Sequence, residues 1–158
     1  MYNDVVIMES TYGSNIKNTS KTREFDVEHL RVAIETVIER KGSIIMPCFS
    51  FSRTQEILTN IYNLFGKNER FETKVIVDSK LSCDISNAYS QILTGDKLKE
   101  WEEVSNWKNV VFVSEKEDSQ YWVENKEPKI IISSSGFCTN GRVVCYLKKY
   151  FLKFLSKR

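Results

Sequence analysis

The sequence predicts an α/β domain with a mostly parallel sheet of about five strands and helices on both faces. Two observations carry that prediction. Short apolar runs alternate along the chain with segments whose apolar residues recur at helical spacing. The runs themselves are continuous rather than alternating with polar residues, as expected of strands covered on both faces.

The elements follow in order. Residues 4–8 (DVVIM) read as the first strand, and a polar loop covers residues 14–21. Ser20 or Thr22 offers an N-cap for a helix reaching about Lys41, with Phe25, Leu30, Ala33, Ile34, Val37 and Ile38 on its apolar face. Gly42 stands where a helix end favours a left-handed residue. Residues 43–48 (SIIMPC) form the next strand, ending at Pro47. A helix over residues 53–65 turns Ile57, Leu58, Ile61, Leu64 and Phe65 inward and stops at Gly66. Residues 74–78 (KVIVD) are a strand, followed by helices over residues 82–93 and 96–104. A strand over residues 109–114, a short helix over residues 117–125 and a strand over residues 129–133 (KIIIS) come next. A helix over residues 141–155 closes the chain, with Val143, Val144, Leu147, Phe151, Phe154 and Leu155 on one side.

Composition narrows the function. The 158 residues are 41% hydrophobic and 28% charged, which supports a buried core and argues against disorder. Against 23 basic side chains stand 21 acidic ones, so bulk charge announces neither a nucleic acid nor a membrane surface, although a local basic patch stays open. His29 is the one histidine, and one histidine cannot build a His-rich metal centre. Cys48, Cys83, Cys138 and Cys145 lack the spacing of a zinc or redox knuckle and read as reduced thiols of a cytoplasmic protein. Asp4 and Glu9 interrupt the first apolar run, unlike a secretory signal, and no apolar stretch approaches the ~20 residues of a membrane span.

In a parallel sheet the loops after the strands meet at one edge, and ligands bind there. Those loops carry Glu9 to Gly13, then Ser50, Phe51, Ser52 and Arg53, then Asp78, Ser79 and Lys80, then Ser114 to Lys116, then Ser134, Ser135, Gly136 and Phe137. Hydroxyls, a guanidinium and helix N-termini on one edge suit an anion such as a phosphate. The same residue types are also the ordinary helix caps of any α/β domain. Tyr12, Phe49, Phe51 and Phe137 lie near the edge, where core packing is expected ahead of base stacking. Lys148, Lys149, Lys153, Lys157 and Arg158 make either a basic stripe for a nucleic-acid backbone or a polar face suited to a helix C-terminus. No Gly-rich nucleotide loop is present.

Four segments then line up in order: Met8 to Gly13 (MESTYG), Pro47 to Glu56 (PCFSFSRTQE), Val77 to Ser79 (VDS), and Ser134 to Phe137 with Gly141 and Arg142 (SSGFCTNGR). Each follows a predicted strand. From about residue 3 to the final helix, the chain resembles the β-CASP domain of metallo-β-lactamase-fold RNA-processing nucleases, the family of the mRNA 3′-end-processing endonuclease and RNase J. The resemblance implies a domain that caps the zinc site of a metallo-β-lactamase domain, with RNA in the cleft between them. It implies a supporting catalytic role for Glu9, and it places Arg53 and Ser135 against RNA phosphates. Ser50, Ser52, Asp78, Ser79, Ser134 and Gly136 are the neighbouring candidates for RNA or phosphate binding. The family's zinc-ligand motifs are absent from this chain, so zinc is expected in a metallo-β-lactamase part beyond it, residues 3–8 being a remnant strand of that part. The implied partners are RNA and that domain, in cis or in trans, with a homodimer as the alternative and no membrane. The chain alone is expected not to cleave RNA. Ser52 stands where the family usually has Gly, Lys80 where it has Pro, Phe137 where it has Met, and Cys145 and Tyr146 where it often has His. The rival readings are a non-enzymatic assembly module and an unrelated phosphate- or nucleotide-binding α/β protein.

Overall fold

The computed structural model describes residues 22–155. Along the chain run helix α1 (Arg23–Glu39), strand β1 (Ile44–Pro47), helix α2 (Arg53–Phe65), strand β2 (Lys74–Asp78), helices α3 (Lys80–Ile92) and α4 (Gly95–Ser105), strand β3 (Val110–Val113), helix α5 (Lys116–Glu124), strand β4 (Lys129–Ser133) and helix α6 (Val143–Leu155). The four described strands are parallel, in the order β1-β4-β2-β3. The expected strand over residues 4–8 lies outside the described residues.

Register decides where the functional loops go. Pro47 pairs with Ser133, Ser133 with Asp78, and Asp78 with Val113. The strands therefore end in one row, and their following loops leave from one edge. β4 is buried along its whole length, which is why its sequence is an unbroken apolar run.

Alternation along the strands divides the core into two faces. Val75, Val77, Ile130 and Ile132 join Leu58, Ile61, Phe65, Trp101, Val104 and Ile34 in one cluster, so α1, α2 and α4 cover that face. Ile76 and Ile131 face the other way and are fully buried, beneath the side where α5 packs on β3 and α6 on β1. Each fully buried isoleucine contributes about 1.5–3 kcal/mol relative to exposure. At the opposite end of the sheet, the Asn109 amide donates to Phe71 O (2.7 Å) and Thr73 O (3.0 Å), pinning the turn before β2. Lys129 is buried there too, donating to Asn125 and Glu127 carbonyls, and burial lowers its pKa.

Two expectations need correction. In α1 only Ile34 is buried, and Phe25 is 48% exposed. The helix packs on α2 rather than on the sheet, so it has a narrow contact stripe. At its end Lys41, not Gly42, takes the left-handed conformation (φ 54°). Gly42 is instead drawn under Val37, to whose carbonyl its N–H donates at 2.9 Å.

Candidate functional site

Three loops meet in a serine cluster. Ser79 follows β2 and caps α3, its Oγ accepting from the Ser82 N–H at 3.2 Å. Ser134, after β4, donates to the same Oγ at 3.0 Å. Ser50, after β1, lies 3.2 Å away and takes the remaining Ser79 hydroxyl proton. Ser50 and Ser79 are buried and Ser134 is half-buried. Helix capping and site building thus use the same hydroxyls.

Beside the cluster lies a charged knot. Asp78 is fully buried, and its Oδ1 accepts from Arg142 Nη1 at 2.8 Å. Its Oδ2 accepts from Tyr146 OH at 2.6 Å and Ser119 Oγ at 2.7 Å. Arg142 also donates to Val113 O (2.9 Å) and Ser114 O (2.6 Å), while Ser133 Oγ donates to Asp78 O (2.8 Å). Burial, then the Asp78 carboxylate, pushes the Tyr146 phenol far above its ordinary pKa. This corrects the reading of Asp78 as a phosphate contact. Its carboxylate is enclosed and neutralised by Arg142, and its work is to hold β2, β3, β4, α5 and α6 together at the site. Arg142 and Tyr146 were missed as its partners. The available signal was chemical, since an aspartate ending an apolar strand needs a cation.

The loop after β4 folds back on itself. The Ser134–Ser135 peptide is cis. Val143 N–H donates to Ser134 O at 3.0 Å, and Cys138 N–H donates to Ser135 O at 3.2 Å. Gly141, at φ 78°, lies so close to this peptide that a Cβ would stand 2.4 Å from Ser134 O. Ser135 Oγ is buried with no hydrogen-bond partner among the described residues. Gly136 backs onto Phe49, whose ring meets Phe137 edge to face at 5.1 Å.

The aromatic residues of the edge are exposed rather than packed in the core: Phe51 by 69%, Phe137 by 75% and Phe49 by 49%. Between Phe51 and α2, Ser52 adopts φ 63° and ψ −50°, and Arg53 N–H donates to Phe51 O at 2.7 Å. This γ-turn favours Gly, the residue usual at the position in the resembled family. Arg53 is exposed and donates to Glu56 at 2.8 Å.

The structure thus joins Ser50, Ser79 and Ser134 directly, and sets Asp78 behind them. Ser52 and Arg53 lie exposed at the start of α2, while Ser135 and Gly136 are half-buried in the loop after β4. Glu9 lies outside the described residues. Among the described residues no three His, Cys, Asp or Glu side chains come together as a zinc-ligand set would, so no catalytic step is assigned to a metal here. No helix among them is long and apolar enough to cross a membrane.

The Beta-Casp domain family matches residues 54–153. The chain is 36% identical over 147 residues to an RNase J-like protein of Methanocaldococcus jannaschii, covering 92% of this chain and 34% of that relative. It is 29% identical over 151 residues to the transcription termination factor FttA of the same organism, covering 92% and 24%. With Integrator complex subunit 11 of Danio rerio it shares 24% identity over 147 residues, covering 93% and 24%. The chain spans about a third or less of the length of these relatives.

Proposed function

The chain belongs to the Beta-Casp domain family, and from that premise we propose that it is the RNA-binding part of a zinc-dependent, metallo-β-lactamase-fold ribonuclease. One observation carries the reading: the strand-end edge presents exposed Phe51 and Phe137 together with the Arg53 guanidinium, over a serine cluster held from below. Flat exposed rings suit stacked bases, and a guanidinium suits a phosphodiester. Arg53 shares an exposed ion pair with Glu56, a weak interaction from which a phosphate can take it. Ser134 and Ser135 add a hydroxyl edge on the other side of the loop.

RNA lies between this edge and a companion metallo-β-lactamase domain, joined in the same polypeptide or supplied separately. The zinc belongs to that companion, and Glu9 supports its catalytic residues. A cytoplasmic location fits the four free cysteines. The 34% coverage of the RNase J-like relative supports a division of labour in which this chain holds RNA and does not cut it alone.

Anisotropy titration of single-stranded RNA tests this. Arg53→Ala is expected to weaken binding about three- to tenfold, the scale of one good polar contact. Lys108→Ala, on an exposed residue just before β3 at the far end of the sheet, is expected to change nothing. Equal losses from both variants, or saturation by a mononucleotide, would overturn the reading.

A further inference from the structure

A second recess lies on the helical side of the molecule. It is a groove of about 510 Å³ between α2, α3 and α4, lined by Gln55, Thr59, Tyr89, Leu93 and Trp101. Its walls are mainly apolar and its rings are fixed. Trp101 and Tyr89 meet at 5.5 Å, and Trp101 Nε1 is held by Ser86 O and Ser90 Oγ, both at 3.2 Å.

One group there is out of balance. Gln55 is only 2% exposed, and its Nε2 donates to Ser86 Oγ (3.1 Å) and Ser82 O (3.4 Å). Ser82 O can only accept, so the amide nitrogen must face it and the amide cannot be reversed. That leaves Gln55 Oε1 buried with no donor among the described residues. Buried side-chain oxygens are ordinarily satisfied, so an orphaned acceptor lining a groove indicates a donor to come.

We propose that this groove is a nucleobase subsite selecting bases that carry an exocyclic amino group, an inference that rests on the RNA-binding reading above. Flat apolar walls around one acceptor fit a flat ring bearing an N–H donor. Cytosine offers its 4-amino group to Gln55 Oε1, whereas uracil places a carbonyl oxygen there and is repelled. The acidic side chains at the groove, Glu56 and Glu100, disfavour a buried phosphate, so the base enters and the phosphodiester stays outside with Arg23 and Lys97. Ser52 lines the same groove and immediately precedes Arg53, so a strand crossing the edge reaches both places.

The test is binding of this chain to short oligocytidylate and oligouridylate of equal length. Wild type is expected to prefer oligocytidylate about three- to tenfold, the scale of one buried hydrogen bond with its unpaired alternative. Gln55→Leu removes the acceptor and is expected to erase that preference while leaving oligouridylate affinity intact. Thr59→Phe fills the groove from its wall without touching the amide, and is expected to erase it too, which keeps the test decisive if Gln55→Leu fails to fold. Equal affinity of the wild type for both oligomers would overturn the subsite and leave the RNA reading standing. A preference that survives Thr59→Phe would also overturn it. Failure to bind either oligomer would overturn both readings.

Discussion

Replacing Arg142 by Met should be the most damaging single change at the edge. The guanidinium satisfies one oxygen of a carboxylate with no solvent exposure and two strand-end carbonyls. Methionine preserves most of the stem's volume and removes the charge. Asp78 then keeps Tyr146 and Ser119 as donors but loses its cation. Removing one member of a buried ion pair costs about 3–5 kcal/mol. The Arg142 side chain is 23% exposed, so water can partly replace it, and the low end, about 3 kcal/mol, is expected. Tyr146→Phe removes one hydroxyl bond to a charged acceptor and should cost about 1.5–3 kcal/mol. Urea unfolding followed by circular dichroism measures both. At a slope of about 2 kcal/mol per molar, the Arg142→Met midpoint should fall by about 1.5 M with the slope unchanged. The double variant Asp78→Asn/Arg142→Met should lose clearly less than the sum of the single losses, because each single change strands the other's partner. An Arg142→Met midpoint within about 0.5 M of wild type would refute the view that this pair holds the edge together.

Gly141→Ala should destabilise by about 1–3 kcal/mol in thermal unfolding and lower RNA affinity, because the new methyl group collides with Ser134 O at a positive φ. Ser52→Gly should raise the unfolding temperature, the relief of a strained turn exceeding the ~0.5–1 kcal/mol entropy that glycine adds to the unfolded chain. Thiol reagents at mildly alkaline pH should label exposed Cys145 quickly and Cys48 and Cys83 only on unfolding, since burial pushes both of the latter up to about 11. A thiol whose folded pKa is raised contributes stability below its unfolded value and loses it as pH climbs toward 11, so urea midpoints should decline on the alkaline side.

Much of this was legible in the sequence where local chemistry and final environment agree. KVIVD and KIIIS form strands with the expected ends because both lie in the middle of the sheet, where nothing but an apolar run fits. Ser50, Ser79 and Ser134 were legible as hydroxyls following strands, since the capping position is local. What failed was whatever depends on a distant partner. The destination of the Asp78 carboxylate is settled by Arg142 and Tyr146, 64 and 68 residues further along. Hydropathy alone sends Phe51 and Phe137 inward, yet they ride on loops that leave the sheet with no helix above them. Gln55 shows the reverse error, a polar residue sealed inside because α3 supplies acceptors that no pattern on α2 announces.

The charge inventory of the edge constrains how such a site can bind. The one guanidinium displayed by its loops is Arg53, already shared with Glu56, and the whole chain carries a formal charge of only +2. Each neutralised phosphate of a single strand steepens the salt dependence by about 0.7 log units per log unit of salt. One phosphate contact therefore predicts a shallow slope. Stacking on Phe51 and Phe137 offers about 1–3 kcal/mol per base and varies little with salt. If the edge is the contact surface, binding should persist at high salt and collapse in the double variant Phe51→Ala/Phe137→Ala. A steep slope, near that of several phosphates, would place the RNA on the lysines of the last helix instead. An edge that stacks bases but neutralises little charge leaves most of the strand's phosphates to be met by the companion domain, which is why a clamp of this kind works only as one half of a cleft.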